Sequence, residues 1–148
     1  MDALVIRGKC EKPTWIEIKN DKFFFHDASD IWGMRVTESQ EELQRIMNNT
    51  RKCRVKCGML SIGPAGENLV KYAAVISGDR AAGRAGVGAV FGSKNLKAMV
   101  ATGNHEVPIY NPEKLTKHCQ KWTNTLRSHP LTGNQLPKMG TAGLVTPM

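Results

Sequence analysis

Along the first half of the chain the spacing of apolar and polar positions changes several times, and each change predicts a new element. Residues 3–6 (ALVI) form a short apolar run closed by Gly8. Residues 14–19 (TWIEIK) then alternate, with Ile16 and Ile18 on one side and Trp15 on the other, the period-two pattern of a strand. Asn20 and Asp21 are turn formers, so the following KFFF (22–25) reads as the returning strand of a hairpin. Asp27, Ser29 and Asp30 offer caps to a short turn around Ile31 and Trp32 that Gly33 interrupts. A helix is predicted through EELQRIMNN, capped by Thr37 or Ser39, with Leu43, Ile46 and Met47 at i, i+3, i+4 as its buried face. Asn48 to Thr50 end it, and a strand follows over 55–62.

In the second half the pattern predicts a strand over 69–76 (LVKYAAVI), a turn at Ser77-Gly78-Asp79, a glycine-rich stretch over 83–92 and a segment over 95–102 whose later part is β-like. After Pro108 the character changes. Asn111 is a good N-cap with Pro112 at the first helical position. Leu115, Cys119, Trp122 and Leu126 then recur at helical spacing, and the helix must stop before Pro130. The remainder, LTGNQLPKMGTAGLVTPM, carries turn residues throughout and has no clear ending. Strands and helices mixed without regular βαβ alternation predict an α+β fold: a unit over 1–107, then the start of a helical domain over 108–148 that reads as truncated.

The composition changes this picture little. With 148 residues, 41% apolar and 23% charged, the chain is globular in character. No run approaches the roughly 18 apolar residues of a membrane span, and the start lacks a secretory leader, so a cytoplasmic protein is expected. Charge matters more. Twenty-one Lys and Arg against 13 Asp and Glu leave a formal +8, which favours an anionic partner (nucleic acid, a phosphorylated cofactor or an acidic protein), unless acids elsewhere in a longer protein balance it. A basic nucleic-acid module is the alternative reading, and so is an inactive truncated product. Such modules interleave aromatic and basic residues, whereas Phe23 to Phe25 are flanked only by Lys22 and His26.

Four cysteines do not make a disulfide scaffold. Cys53 and Cys57 are the closest pair, but on a strand residues four apart lie about 13 Å from each other, too far for one metal. They are expected to be thiols. His26, His105, His118 and His129 are expected to be solvated in turns or on a polar helix face, and no catalytic acid or base can be nominated. Glu67, beside Asn68, reads as a partner for neighbouring amides.

The chemistry concentrates in two glycine-rich segments around residues 69–76. Glycines allow backbone N–H groups to approach a ligand, and successive amides in such turns cradle anions. Arg80 and Arg84 lie four apart in the second segment, and guanidiniums suit bidentate phosphate contacts. A dinucleotide fingerprint does not fit: Gly86 comes ten positions after Ile76, and only Glu106 stands near the position of the expected acid.

The run IGPAGENLVKYAAVISGDRAAGRAGVGAVFGSKNLKAMVATG (62–103) closely resembles the aldehyde ferredoxin oxidoreductase family. DALVIRGKCEKPTWIEIKN, HDASDIWGMRVTE, VPIYNPEKL and LPKMGTAGLV extend the resemblance over almost the whole chain. It implies part of an N-terminal domain that binds a tungsten (or molybdenum) bis-pterin. The family's enzymes oxidise aldehydes to carboxylic acids and hand electrons through a [4Fe-4S] cluster to ferredoxin. Arg80, Ala81, Gly83 and Arg84 match the family's pterin contacts. Ala85 departs from the usual glycine. The family's other pterin segment, with its Asn-x-Gly, and its cluster cysteines have no counterpart here; Cys53 and Cys57 lie upstream and are not those ligands. The chain is therefore expected to act with the remainder of the enzyme and to be inactive alone.

Overall fold

The computed structural model describes residues 3–51, 57–104 and 107–145, and these form two compact units divided between positions 105 and 106. In the first unit the predicted hairpin is present. β1 (Thr14–Lys19) and β2 (Lys22–Asp27) pair antiparallel from Thr14↔Asp27 to Lys19↔Lys22. Asn20 makes the turn in the left-handed region at φ 53°, a conformation asparagine tolerates better than most residues. β2 continues two residues beyond the expected KFFF because His26 and Asp27 still find partners in Trp15 and Thr14.

Four further strands complete a six-stranded mixed sheet: β3 (Gly58–Ser61), β4 (Val75–Ser77), β5 (Arg80–Ala82) and β6 (Leu96–Thr102), in the order β2-β1-β6-β3-β4-β5. β6 lies parallel to β1 and antiparallel to β3, so the last strand in sequence sits inside the sheet. Its buried residues Leu96, Lys97, Ala98 and Val100 follow from that position. β1 is covered on both faces. Trp15 packs with Ala98, Val100, Ala28 and Ile31 beneath the helix α1 (Val36–Arg51), which contributes Leu43 and Met47 with Ile46 partly buried beside them. Ile16 and Ile18 meet Leu96, Ile6, Phe91 and Met99 on the other face.

Several expectations need correction. α1 begins at Val36, so Thr37 and Ser39 are inside it. The reciprocal contact at its start comes from Glu38, whose carboxylate accepts the Arg35 N–H at 3.0 Å, while the buried Ser39 Oγ donates to the Val36 carbonyl at 2.9 Å. The strand over 69–76 is only β4. A short helix α2 (Pro64–Glu67) precedes it, Leu69 turns left-handed at φ 59°, and the chain reaches β4 through turns that leave Leu69 and Tyr72 exposed. The glycine-rich stretch contains a helix, α3 (Val87–Ser93). Of the strand predicted over 55–62, residues 58–61 form β3, and 55 and 56 lie outside the described residues. The turn after β2 is as expected, with Asp27 accepting the Ser29 N–H at 2.7 Å. The α+β class stands.

In the second unit α4 (Pro112–Ser128) starts at the predicted cap, Asn111 accepting the Lys114 N–H at 2.8 Å. The turn-rich segment that follows continues as a π turn (Pro130–Gln135), α5 (Leu136–Met139) and a 3-10 turn (Gly140–Leu144). Gly133 permits this, since a Cβ there would lie 1.8 Å from the Arg127 carbonyl oxygen. Among the described residues nothing covers the α4 stripe; Leu115, Cys119, Trp122 and Leu126 are all exposed.

Candidate cofactor site

β4 and β5 form a hairpin around Gly78 and Asp79, with Ser77↔Arg80, Ile76↔Ala81 and Val75↔Ala82 in register. Gly78 is left-handed at φ 55°, as such two-residue connections require. β5 is the free edge of the sheet, and Arg80, Ala81 and Ala82 are exposed. In a hairpin of this kind the pair flanking the turn bonds across the ladder and the next residue faces away, so the Ala81 N–H and C=O point to the open edge. An alanine can serve a ligand there through its backbone.

Beyond β5 the chain turns into α3 through Gly83, Arg84, Ala85 and Gly86. A Cβ on Gly83 would meet nothing within 4 Å, so no protein neighbour demands glycine there. Gly86 is different: at φ 64°, its Cβ would lie 2.0 Å from the Lys71 carbonyl oxygen. Ala85 shares the left-handed conformation at φ 63°. Beneath this loop α2 and α3 pack backbone to backbone. A Cβ on Gly92 would come within 1.9 Å of the Gly66 carbonyl oxygen, and one on Gly88 within 2.6 Å of the Ala74 carbonyl oxygen. The Gly88 N–H donates to the Ala73 carbonyl at 2.9 Å. Gly86, Gly88 and Gly92 thus allow close packing, whereas Gly83 leaves open space beside two arginines.

Arg80 and Arg84 are exposed, and among the described residues neither side chain has an ion pair or hydrogen bond. No cluster of three or more His, Cys, Asp or Glu side chains that could hold a bare metal ion comes together among the described residues. Guanidiniums, outward amides and an open glycine suit an anionic organic group. An apolar groove of about 390 Å³ lies elsewhere, lined by Ile16, Phe23, Phe25 and Leu96, and includes none of residues 80–84.

A family model described as the N-terminal domain of aldehyde ferredoxin oxidoreductase matches residues 1–103. The chain belongs to the aldehyde ferredoxin oxidoreductase family. It is 48% identical over 145 residues to the tungsten-containing aldehyde ferredoxin oxidoreductase of Pyrococcus furiosus and 47% identical to that of Thermococcus kodakarensis, covering 97% of this chain and 23% of each relative. It is 37% identical over 123 residues, 77% of the chain and 20% of the relative, to the WOR-like subunit of an aliphatic sulfonate oxidoreductase of Pyrococcus furiosus. Among solved structures, the active-site complex BamBC of benzoyl coenzyme A reductase with 1,5-dienoyl-CoA superimposes with a TM-score of 0.74 at 33% identity, covering 88% of this chain and 19% of that one. The chain thus spans roughly a quarter of the length of the curated family members it matches.

Within this family domain the sequence reading overlooked one group altogether. Lys97 is fully buried in β6, and its Nζ pairs with Glu67 Oε1 and donates to the Met34 carbonyl at 2.9 Å. The other oxygen of Glu67 accepts the Gly33 N–H at 2.8 Å. Glu67 does bond an amide, but one 34 positions away. The available signal was a lysine set between apolar neighbours in a central strand. His26 also needs correction: it stands on β2, stacked on Trp15 with ring centroids 4.1 Å apart and 3.1 Å from a Glu17 carboxylate oxygen. His118 and His129 are exposed, while His105 and Cys53 lie outside the described residues. Among the described residues no helix is long and apolar enough to cross a membrane.

Proposed function

We propose that this chain is the cofactor-facing N-terminal part of a tungsten-pterin oxidoreductase that converts aldehydes to carboxylic acids and passes the electrons to ferredoxin. The observation that carries the reading is the pair of exposed arginines, Arg80 and Arg84, that have no partner among the described residues, on either side of a glycine that no described neighbour fills. Their guanidiniums hold a pterin phosphate, Ala81 offers its outward N–H and C=O to the pterin, and Gly83 lets the group come close. When bound, the tungsten (or molybdenum) bis-pterin supplies the two-electron redox centre. The residues of this chain would bind and orient it.

On this reading residues 1–107 are part of the pterin-binding domain and 108–148 open the following helical domain. The [4Fe-4S] cluster and the second set of pterin contacts belong to the remainder of a cytoplasmic enzyme. An aldehyde is favoured over a sulfonate or an acyl-CoA because the relatives named for aldehydes are 41% to 48% identical, against 37% and 33%. The test is a chimera in which this chain replaces the matching segment of the Pyrococcus furiosus enzyme. It should retain tungsten and reduce ferredoxin with an aldehyde. The Arg80→Ala/Arg84→Ala version should lose bound tungsten-pterin while remaining folded. A folded chimera whose tungsten content ignores that double substitution would remove the basis for the proposed site.

A further inference from the structure

The Glu67–Lys97 ion pair joins three segments far apart in sequence, and the side chains are 4% and 0% exposed. Through it the end of α2, the Trp32–Gly33–Met34 turn and the central strand β6 share one hydrogen-bond set: Lys97 Nζ to Glu67 and to the Met34 carbonyl at 2.9 Å, and the Gly33 N–H to Glu67 at 2.8 Å. Two charges withdrawn from water gain little net stability over well-packed apolar residues of similar size. What such a set does provide is direction: every bond fixes an angle as well as a distance.

The direction passes to the loop through backbone contact. Gly92 of α3 lies so close to α2 that an added Cβ would meet the Gly66 carbonyl oxygen at 1.9 Å and the Glu67 Cα at 3.2 Å. α3 follows directly on Gly86, which itself lies against the Lys71 carbonyl. Close-packed backbone has no side chain to absorb a shift, so displacing α2 displaces α3 and the 83–86 loop with it. We propose that Glu67 and Lys97 are positioning residues for that loop, setting the anion affinity of the Arg80–Arg84 rim without touching the ligand. The proposal rests on the reading of residues 80–84 as the cofactor contact.

Inorganic phosphate is the probe, titrated calorimetrically into the full 148-residue chain. Arg80→Ala/Arg84→Ala reports on the site itself and should abolish binding. Glu67→Gln should weaken binding about tenfold, the usual scale for groups that orient a ligand's direct contacts. Lys97→Met alone leaves Glu67 as an unpaired buried charge and should lower the melting temperature sharply. Glu67→Leu/Lys97→Met removes both charges, so it should recover the wild-type melting temperature yet bind phosphate about tenfold more weakly and exchange amide hydrogens faster over 83–92. If that double variant regains melting temperature, phosphate affinity and slow exchange together, the pair is only structural and the proposal is overturned. If the arginine variant binds phosphate as well as wild type, or the wild type binds none, the site reading fails and the positioning role falls with it.

Discussion

Ala85 holds a left-handed conformation, φ 63°, that costs an L-residue with a Cβ about 1–2 kcal/mol. Glycine would relieve it, offset by about 0.4–1 kcal/mol of extra freedom in the unfolded chain. Ala85→Gly should therefore raise stability by about 0.5–1 kcal/mol, measured as a shift of the urea midpoint at unchanged slope. A lowered midpoint would mean that the Ala85 methyl makes a contact worth more than the strain. The resemblance to the family had marked this position as an alanine in place of a glycine; the φ angle supplies the reason a glycine suits it.

Two carboxylates are tuned at the same scale. Hydrogen bonds from the side chain and backbone of Ser29 hold Asp27 below its ordinary range, and the Arg45 hydrogen bond does the same to Glu42. A folded-state value below the unfolded one means that the unfolded chain takes up protons first. The stabilisation is therefore present above the unfolded value and is lost as pH falls through the folded one, on the acid side of the ordinary carboxylate range. Asp27→Asn keeps an acceptor for Ser29 but does not titrate, so its stability should fall less than that of wild type between neutral pH and about pH 3. Identical acid limbs in the two proteins would refute the assignment to Asp27.

At the scale of elements, α2 and α3 are specified by what glycine omits. Gly92→Ala would drive a Cβ into the Gly66 carbonyl, backbone that cannot turn aside as a side chain could. The helices should part at a cost of about 3 kcal/mol, near the upper end for an overpacked core, with thermal unfolding as the measure. Gly83→Ala, which meets nothing and has no left-handed backbone to strain, should raise stability slightly, by about 0.4–1 kcal/mol through the lost freedom of the unfolded chain, so the opposite signs separate packing glycines from an open one.

This contrast also explains which elements could be read from the sequence. The hairpin was legible because alternation and the Asn20–Asp21 turn act within a few residues, and α4 because Asn111-Pro112 is a local start signal. Residues 69–76 misled because Leu69, Val70 and Tyr72 are apolar yet occupy turns, held there by the closeness of Gly66, Gly88 and Gly92, a tertiary relation without a local pattern. Arg80, Ala81, Gly83 and Arg84 were named through family resemblance, whereas the Glu67–Lys97 pair spans 30 positions and is marked by neither period nor motif.

The whole molecule sets a charge of +8 against many exposed apolar side chains, among them Phe25, Tyr72, Val107, Tyr110, Trp122 and Val145. Like charge keeps copies apart over roughly a Debye length, about 10 Å at 0.1 M salt and about 3 Å at 1 M. The apolar surface is not screened and is favoured further by strongly hydrated anions such as sulfate. The two effects act in the same direction as salt rises. Light scattering of the 148-residue chain should therefore show a monomer at low ionic strength and growing assemblies as sodium sulfate is added. Substituting Trp122 and Phe25 by serine should delay their onset, because it removes attraction while leaving the charge at +8. If salt instead dissolved existing assemblies, copies would be held together by opposite charges, and the apolar surface would not be the sticking point.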